Sequence, residues 1–393
     1  MTATPLPNSP SQTSQFKFSL VLPAASSHFF HDVYTSFLAP LLPLLIEKLS
    51  LSLTQAGSLT AILQIGSLLN PIIGFFADRV NLNFLVILTP AITATLMSLI
   101  GAADSYASLA LLLLVTGVSV AAYHAPAPVM IARVSGRRLG LGMSLFMAFG
   151  ELARTLGPLL AVWAVTTWQL EGLYRVMVLG WASSFILFLR LRNVSSRSDK
   201  PGQLSVLLPA LRTFFIPLAV INLFRNFMLE CLTTYLPTYM SAQGASLWMA
   251  GSALSILELA GVAGALVSGS LSDKLGRKPI LLATTLIPVA VMLVFLNTQG
   301  WLVVPLLLGL GFTGLSSTPV MMAMVQETLP DNRSVANGLY MLFGFLLRPI
   351  ATLGVGMLGD WMGIQQAYLW ASLLSLLAVP AIFIIFRKPS PAQ

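Results

Sequence analysis

The chain of 393 residues is 56% hydrophobic and only 9% charged, and its mean hydropathy is +0.85. Soluble domains carry about 25% charged residues, so this composition excludes an ordinary soluble domain and predicts a membrane protein. A net charge of +8 would favour nucleic acid as the partner of a soluble protein. In a membrane protein the positive-inside rule accounts for that charge, and we expect no nucleic-acid partner.

Apolar runs separated by polar breaks predict twelve transmembrane helices, and hence an all-α membrane protein. Residues 1–17, rich in Pro, Ser and Thr, are predicted to form a disordered cytoplasmic tail. We predict a six-helix bundle over 18–191, a cytoplasmic linker over 192–208 and a second six-helix bundle over 209–388. The predicted helices lie near residues 18–47, 52–78, 83–103, 106–134, 139–166, 171–191, 209–240, 246–272, 279–298, 301–327, 334–360 and 362–387.

The distribution of basic residues predicts the orientation of the helices. Sixteen of the 21 Lys and Arg residues lie in the tail, the even-numbered loops or the C-terminus, whereas only Lys48 and Arg175 lie at odd-numbered loops. This bias predicts a multi-pass protein of the cell (inner) membrane with both termini in the cytoplasm. The single cysteine, Cys231, excludes an internal disulfide and any multi-cysteine metal site, and we expect no cofactor.

The two halves of the chain repeat each other. DVYTSFLAP at 32–40 matches ECLTTYLP at 230–237, and GELAR at 150–154 matches GFLLR at 344–348. The matches keep the same order in both halves. A parallel repeat of this kind places a pseudo-two-fold axis along the membrane normal, with the binding cavity between the halves near the midplane.

The repeat pairs four charged residues inside the predicted helices. Asp32 aligns with Glu230, and Arg154 aligns with Arg348. A charge near the bilayer centre costs at least about 2.5–3.5 kcal/mol on insertion scales. We therefore expect the four side chains to be functional and to face a common cavity, each acid facing the arginine of its own half.

A loop motif connects the chain to a known family. GSLSDKLGRK at 269–278 matches throughout the loop signature G-x-x-x-D-[RK]-x-G-[RK]-[RK] of the major facilitator superfamily, whereas GFFADRVNLN at 74–83 lacks the later Gly and basic residues. The chain resembles this superfamily over essentially its whole length, and HFFHD at 28–32 resembles the start of its fosmidomycin-resistance-like efflux branch. The resemblance implies two six-helix bundles, a functional monomer, and gating by the residues Gly74, Asp78, Arg79, Gly269, Asp273, Lys274, Gly276, Arg277 and Lys278.

Four residues are candidates for proton coupling: Asp32, Glu230, His28 and His31. A carboxylate in a poorly hydrated cavity holds a proton readily, because desolvation disfavours the anion. His28 lies four residues before Asp32 on the same helix face, while His31 is rotated by about 100°. Imidazole titrates near neutrality, so His28 can tune the proton affinity of Asp32. The alternative is that Asp32 and His28 only bridge helices as structural polar groups.

Three intramembrane arginines, Arg154, Arg225 and Arg348, are candidates for substrate binding. A guanidinium stays charged and binds phosphonate or carboxylate oxygens bidentately. The alternative is a set of internal ion pairs, in which Glu151 neutralises Arg154 at i,i+3 spacing and Glu258 or Glu230 neutralises Arg225. Both alternatives hold in turn if substrate displaces a carboxylate from an arginine and the carboxylate then takes a proton. We include Glu151 and Glu258 among the substrate-binding candidates.

Three further candidates for substrate binding carry no permanent charge. His124 stands before two prolines in AAYHAPAPVM, where it either faces substrate or caps a carbonyl that the prolines free. Tyr34 and Tyr123 are candidates too, although such aromatic residues more often serve packing.

These observations predict a secondary active transporter rather than an enzyme. The leading interpretation is proton-coupled efflux, by antiport and alternating access, of a small drug-like or anionic, phosphonate-type compound. Proton-coupled symport of an organic anion is the alternative. His28 and His31 make only half of a metal site, and we find no H-E-x-x-H motif and no Walker motif for ATP. The expected partners are a small-molecule substrate, protons and the lipid bilayer.

Overall fold

A computed structural model of the chain describes residues 16–77, 79–196, 211–329 and 333–387, and these residues form helices and short connections. Eleven of their helical stretches are long and apolar enough to cross a membrane. The longest, Tyr106–Trp168, has 63 residues and turns at Gly136–Arg138. A helix rises 1.5 Å per residue through about 30 Å of hydrocarbon, so this stretch crosses twice. The predicted all-α class with twelve membrane segments is confirmed.

The membrane segments are numbered 1 to 12 in chain order. Segments 1 to 6 comprise Phe18–Thr35 with Leu38–Leu49, Leu53–Ala77, Asn83–Ala102, Tyr106–His124 with Ala127–Ser135, Leu139–Trp168, and Glu171–Leu191. Segments 7 to 12 comprise Leu211–Phe215 with Ile216–Thr233 and Leu236–Ala242, Leu247–Leu275, Arg277–Phe295, Gly300–Thr328, Arg333–Met362, and Ile364–Ile385. The predicted tail up to residue 15 and the predicted linker from residue 197 onward lie outside the described residues.

Segments 1, 4, 7 and 10 are each interrupted near the middle of the membrane. A proline lies close after each interruption and has no N–H for the carbonyl four residues earlier, so the helical hydrogen bonding fails there. The prolines are Pro40, Pro128, Pro237 and Pro319. Asp32 and Glu230 stand three residues before the helix ends at Thr35 and Thr233, and His124 ends its helix. The interruptions therefore bring polar side chains and irregular backbone to the same depth, where such backbone is tolerated beside a cavity.

Each half of the molecule packs around its own apolar core. In the first half, segment 1 packs against segments 3, 5 and 6, and segment 2 against segment 4. In the second half, segment 7 packs against segments 11 and 12, while segment 10 packs against segments 8 and 9. Large apolar side chains such as Phe185 and Ile287 are exposed on the outer faces, as expected of helices that contact lipid.

The two halves meet tightly at one end of the molecule, which we call the closed end. The carboxylate of Asp360 on segment 11 accepts hydrogen bonds from the backbone N–H groups of Leu53 (2.7 Å) and Thr54 (2.9 Å) at the start of segment 2. The hydroxyl of Tyr235 on segment 7 donates to the carbonyl of Leu53 (3.1 Å) and to that of Thr352 (3.0 Å). The bonds to Leu53 and Thr54 join the second half of the molecule to the first, whereas the bond between Tyr235 and Thr352 lies within the second half.

At the opposite end, the open end, the halves stand apart. Asn70–Ala77 on segment 2, Ala127–Ser135 on segment 4 and Thr318–Thr328 on segment 10 lie toward this end and pack against segments of their own half. The structure is therefore a pair of bundles with a cavity that opens toward one side.

Candidate functional site

A central cavity of about 300 Å³ lies between the two halves. Its polar wall combines residues of segments 1, 2, 4, 5, 7, 8 and 11: Asp32, Thr35, Ser36, Thr60, Gln64, Ser67, His124, Arg154, Thr233, Thr234, Glu258 and Arg348. A second chamber of about 240 Å³ shares Arg154, Glu258 and Arg348 with it and extends to Asn222, Asn226 and Tyr340. Five of the predicted acids, arginines and His124 therefore line this cavity or its extension: Asp32, His124, Arg154, Glu258 and Arg348.

Asp32 is surrounded by all three histidines of the chain. Its Oδ2 lies 3.1 Å from Nε2 of His28 and 3.5 Å from Nε2 of His124, and its Oδ1 lies 2.7 Å from Nδ1 of His31. The expectation that His31 points away from Asp32 is wrong, because Nδ1 of its ring lies within hydrogen-bonding distance of the neighbouring carboxylate. The expected contact between Asp32 and Arg154 is also absent. The Asp32 carboxylate contacts the imidazoles instead, and Arg154 pairs with Glu151 and Glu258.

Backbone carbonyls fix the orientation of two of these imidazoles. Nδ1 of His28 is 2.8 Å from the carbonyl of Phe146, and Nδ1 of His124 is 3.0 Å from that of Val120. A carbonyl only accepts hydrogen bonds, so each Nδ1 carries the hydrogen. In the neutral rings, Nε2 then presents a lone pair toward Asp32. His28 is held further by stacking on Phe146, with 4.1 Å between ring centroids.

His31 is bonded at both ring nitrogens. Its Nε2 lies 3.1 Å from the hydroxyl of Thr93, which lies 2.8 Å from that of Ser119. With Nδ1 donating to Asp32 and Nε2 accepting from Thr93, the ring is satisfied and buried. His31 therefore positions Asp32 from behind, away from the cavity.

The cluster includes a set of atoms suited to metal binding. Nitrogen atoms of His28 and His124 and an oxygen of Asp32 all lie within 4.8 Å of one another. The sequence interpretation counted His28 and His31 as half of a metal site. The structure replaces His31 by His124 and adds Asp32, because the helix interruption at His124 brings segment 4 against segment 1.

In the second half, Glu230 is paired with Arg348. Nε of Arg348 donates to one carboxylate oxygen of Glu230, and the hydroxyl of Thr234 donates to the other (2.6 Å). Nη2 of Arg348 also donates to the hydroxyl of Thr233 (2.9 Å). The Glu230 side chain is completely buried, whereas 43% of Arg348 is exposed to the cavity. The expected facing of acid and arginine is therefore present in this half.

Arg154 is shared between two carboxylates. Its Nη2 lies 2.7 Å from Oε2 of Glu151, at the predicted i,i+3 spacing, and its Nε lies 3.5 Å from Oε2 of Glu258. Glu151 belongs to the same half and Glu258 to the other. Half of the Arg154 side chain is exposed to the cavity, so an anion there can reach the guanidinium.

Arg225 does not contact the central cavity or either predicted carboxylate partner. Its guanidinium is buried and donates to the carbonyls of Thr284 (2.8 Å) and Gly314 (3.3 Å) and to the hydroxyl of Thr285 (2.5 Å). These acceptors lie on segments 9 and 10. The prediction of a substrate contact for Arg225 is corrected, because the side chain links three helices inside the second bundle.

Two other candidates, Tyr34 and Tyr123, are also core residues rather than cavity residues. The hydroxyl of Tyr34 donates to the carbonyl of Val176 (2.7 Å), and that of Tyr123 bonds the hydroxyl of Ser27 (2.7 Å). The ring of Tyr123 stacks on His31 with 4.3 Å between centroids. Both side chains are fully buried, so neither is available to a substrate in this state.

The complete loop motif forms a charged junction at the open end. Arg277 pairs with Asp273 and with Glu327 at the end of segment 10, each at 2.6 Å. Gly276 has a φ of +91°, which a residue with a side chain adopts only with strain. Nζ of Lys278 lies 4.0 Å from the centroid of the Phe383 ring. The loop thereby ties segments 8, 9, 10 and 12 together.

The remaining gating candidates make fewer contacts. Arg79 donates to the carbonyl of Phe75 (2.7 Å) and covers that ring, within its own helix. Gly74 borders open space, Gly269 lies beside Pro319, and Lys274 is exposed. Asp78 lies outside the described residues.

Sequence reasoning missed seven polar residues of the cavity wall, among them Thr60 and Gln64. Among the described residues, neither Oγ1 of Thr60 nor Oε1 of Gln64 has a hydrogen-bond partner, although both atoms are buried. The internal repeat contained the signal. AGSLTAILQ at 56–64 matches AGSALSILE at 250–258, so Gln64 is the counterpart of Glu258. Glu327, the partner of Arg277, was missed because nothing local marks a surface ion pair.

Comparison with known families and proteins agrees with this architecture. The model of the Major Facilitator Superfamily matches residues 24–352. The chain is 25% identical to the fosmidomycin resistance protein of Escherichia coli (strain K12) over 384 residues, 93% of each chain. It is 21% identical to an uncharacterized MFS-type transporter of Bacillus subtilis (strain 168), over 91% of this chain and 90% of that one.

Solved structures show the same fold at low sequence identity. A bacterial homolog of the human lysosomal transporter Spinster, in an inward-facing and unoccupied conformation, superposes with a TM-score of 0.80. It is 15% identical, over 97% of this chain and all of that one. A D-xylose-proton symporter gives a TM-score of 0.74 at 15% identity, over 95% of this chain and 98% of that one.

Proposed function

The chain belongs to the major facilitator superfamily, and we propose that it is a proton-coupled exporter of a small anionic, drug-like compound. Transport would proceed by antiport and alternating access through the central cavity. The observation that supports proton coupling most directly is the pair formed by the buried carboxylate of Glu230 and the cavity-exposed guanidinium of Arg348.

We propose that the open end faces the cytoplasm. It carries the basic residues of the even-numbered loops, among them Arg79 and Arg277, and the positive-inside rule places such loops in the cytoplasm. The described conformation is then inward-facing, and both termini are cytoplasmic in the cell (inner) membrane. The cavity is ready to receive a compound from inside the cell.

Transfer of the Arg348 guanidinium from Glu230 to an anionic substrate can couple substrate binding to proton binding. An anionic oxygen that binds Arg348 competes with Glu230 for the same N–H donors. Once released, the Glu230 carboxylate keeps the hydroxyl of Thr234 as its one hydrogen-bond donor among the described residues, in a site with no solvent exposure. A buried carboxylate without a counter-ion is costly and takes up a proton. The occupant of the cavity thus changes the protonation of Glu230.

The proposed substrate class and the proposed direction of transport each rest on one further observation. Arg154 and Arg348 are both exposed to the cavity and suit the oxygens of a phosphonate or carboxylate. Export is supported by similarity to a protein named for resistance to fosmidomycin.

The exchange at Arg348, taken alone, favours a second candidate, proton-coupled symport of an organic anion, whereas antiport is supported by the similarity to the fosmidomycin resistance protein. If the anion takes Arg348 and Glu230 then takes a proton, anion and proton bind to the same state. Joint binding is the coupling that symport needs, whereas antiport needs the proton to occupy the substrate-free state. The two candidates therefore differ in the sign of the coupling between proton and substrate.

Proteoliposomes with an imposed pH gradient distinguish these candidates. With an acidic exterior, antiport predicts faster exit of a radiolabelled phosphonate from the lumen, and symport predicts its faster entry. A control with the gradient collapsed by an ionophore gives the uncoupled rate. Rates of substrate entry and exit that do not change with the pH gradient would overturn proton coupling.

A further inference from the structure

Two imidazole nitrogens and one carboxylate oxygen converge at the wall of the central cavity. Nε2 of His28 and Nε2 of His124 lie 3.1 and 3.5 Å from the same oxygen, Oδ2 of Asp32. Zinc binds nitrogen and oxygen ligands at about 2.0–2.1 Å with tetrahedral geometry, so neighbouring ligand atoms stand about 3.3–3.4 Å apart. The two distances to Oδ2 bracket that spacing.

The surroundings of the two imidazoles are those of metal-binding histidines. A ligating histidine almost always donates its other ring N–H to a carbonyl or carboxylate, which fixes the tautomer and the ring orientation. His28 does so to Phe146 and His124 to Val120. The other oxygen of Asp32 accepts from His31, so all three ligand groups are oriented by a second partner.

Packing holds the His28 imidazole in the position that a metal ligand would occupy. A methyl group added to Gly150 on segment 5 would collide with the His28 ring, so the ring occupies space that glycine leaves free. His28 also stacks on Phe146. A site built of pre-oriented side chains loses little conformational entropy when its ligand arrives.

The orientation of the lone pairs decides what kind of ligand fits. With both Nδ1 atoms donating to carbonyls, the neutral rings direct two Nε2 lone pairs at an anionic oxygen, which is unfavourable without a cation between them. Protons on both rings would satisfy these contacts only by turning both imidazoles into cations beside a single carboxylate. A divalent metal accepts all three lone pairs at once.

We propose that His28, Asp32 and His124 bind one divalent transition-metal ion of the zinc class, with the fourth coordination position directed at the cavity. Imidazole and carboxylate together suit zinc better than magnesium or calcium, which prefer oxygen ligands. Asp32 and His124 line the cavity, so the fourth position is open to water or to an oxygen of a bound compound. The site lies wholly within the first bundle and is separate from the Glu230–Arg348 pair.

The test uses the full chain, with its affinity tag removed, in lipid nanodiscs. Zinc is titrated against a chromophoric zinc chelator, and X-ray absorption at the zinc edge reports the ligands. We expect one zinc ion per chain and a spectrum with imidazole coordination. In Asp32→Asn and in His124→Gln, the Kd for zinc should rise by at least about tenfold.

Glu230→Gln is the matched control, because it removes an intramembrane carboxylate of the other bundle, and its Kd for zinc should equal that of the unmodified chain. Equal zinc affinity in the unmodified chain and in Asp32→Asn would overturn the site, as would a zinc spectrum without imidazole. Asp32→Asn keeps the shape of the side chain, so it decides the matter if His124→Gln does not fold. Binding is measured at equilibrium and does not depend on transport.

Discussion

Arg154 on segment 5 and Glu258 on segment 8 form an ion pair, with 3.5 Å between Nε and Oε2, that joins the two bundles at the cavity wall. Glu151 holds the same guanidinium from within the first bundle, at 2.7 Å. An anion that enters the cavity must therefore compete with two carboxylates for Arg154. The affinity of the cavity for anions is thereby kept below what two free arginines would provide.

Removal of the cross-bundle carboxylate is expected to strengthen anion binding. In Glu258→Gln, Arg154 keeps only Glu151 as a partner, and the Kd for a phosphonate should fall by roughly three- to tenfold, about 0.7–1.4 kcal/mol. Isothermal titration of the purified protein measures this change. Glu171→Gln, which removes a carboxylate at the closed end, is the control. Weaker binding in Glu258→Gln would mean that Glu258 itself contacts the compound.

Loss of the titratable group at Glu230 is expected to uncouple transport from the pH gradient. Glu230→Gln keeps the shape of the side chain but cannot exchange a proton, so gradient-driven flux should fall by at least about tenfold. Exchange of labelled for unlabelled substrate without a gradient should persist. Both rates are measured in the same proteoliposomes. Full gradient-driven flux in Glu230→Gln would assign the proton to another group.

The Glu230–Arg348 pair also has a predicted effect on stability. Arg348→Gln leaves Glu230 buried and without its counter-ion; because 43% of Arg348 is exposed to the cavity, the loss should be smaller than the about 3–5 kcal/mol of a fully buried pair. The double variant Glu230→Gln/Arg348→Gln removes both charges and should recover most of that loss. Thermal unfolding in detergent measures the stability of both variants, and equal stability of the single and double variants would contradict the buried pairing.

Asp360 is predicted to control the closed end. Asp360→Ala removes the acceptor for two backbone N–H groups at the start of segment 2, which is worth about 0.5–2 kcal/mol by analogy with helix N-caps. The equilibrium should move toward conformations that are open at this end and closed at the other. Spin labels at Leu139 and Leu275, both exposed at the open end, should then report shorter distances.

The spin-label experiment uses a variant without the native cysteine and has a matched control. The native cysteine, Cys231, is buried, and it is replaced by alanine before labelling. Asp104→Ala serves as the control because this carboxylate lies in a loop near the closed end and bonds only a neighbouring serine. An unchanged distance distribution in Asp360→Ala would show that the cap does not bias the two conformations.

Arg225 is predicted to contribute to folding rather than to substrate binding. Lysine cannot reproduce the planar set of donors that reaches Thr284, Thr285 and Gly314, so Arg225→Lys should lower the thermal stability of the protein. The Kd for a phosphonate should stay within about twofold of its original value, since Arg225 lies outside the central cavity. A selective loss of binding with unchanged stability would reverse this assignment.

The sequence predicts much of this structure because the membrane and the repeat both constrain it. Hydrocarbon forces every spanning stretch to be helical, so the twelve segments follow from hydropathy alone. The cost of a buried charge, together with the repeat, identifies Asp32, Glu230, Arg154 and Arg348. All four line the cavity or, in the case of Glu230, lie directly behind its wall.

The sequence does not determine which groups each charged side chain contacts. Arg225, Arg154 and Arg348 look alike in the sequence, but the packing of segments 9 and 10 surrounds only Arg225 with backbone carbonyls. Asp32 was expected to face Arg154, yet three imidazoles from two helices reach it first. Such choices depend on side-chain rotamers and helix crossings, which residue spacing does not encode.

The polar character of the closed end has a thermodynamic consequence. The amides of Leu53 and Thr54 bond the Asp360 carboxylate at an exposed helix start, and water can bond the same groups once the bundles separate. Opening this end therefore exchanges protein partners for solvent at a small net change in free energy. When two conformations have similar free energies, a single ion pair or one bound molecule is enough to shift the population from one to the other.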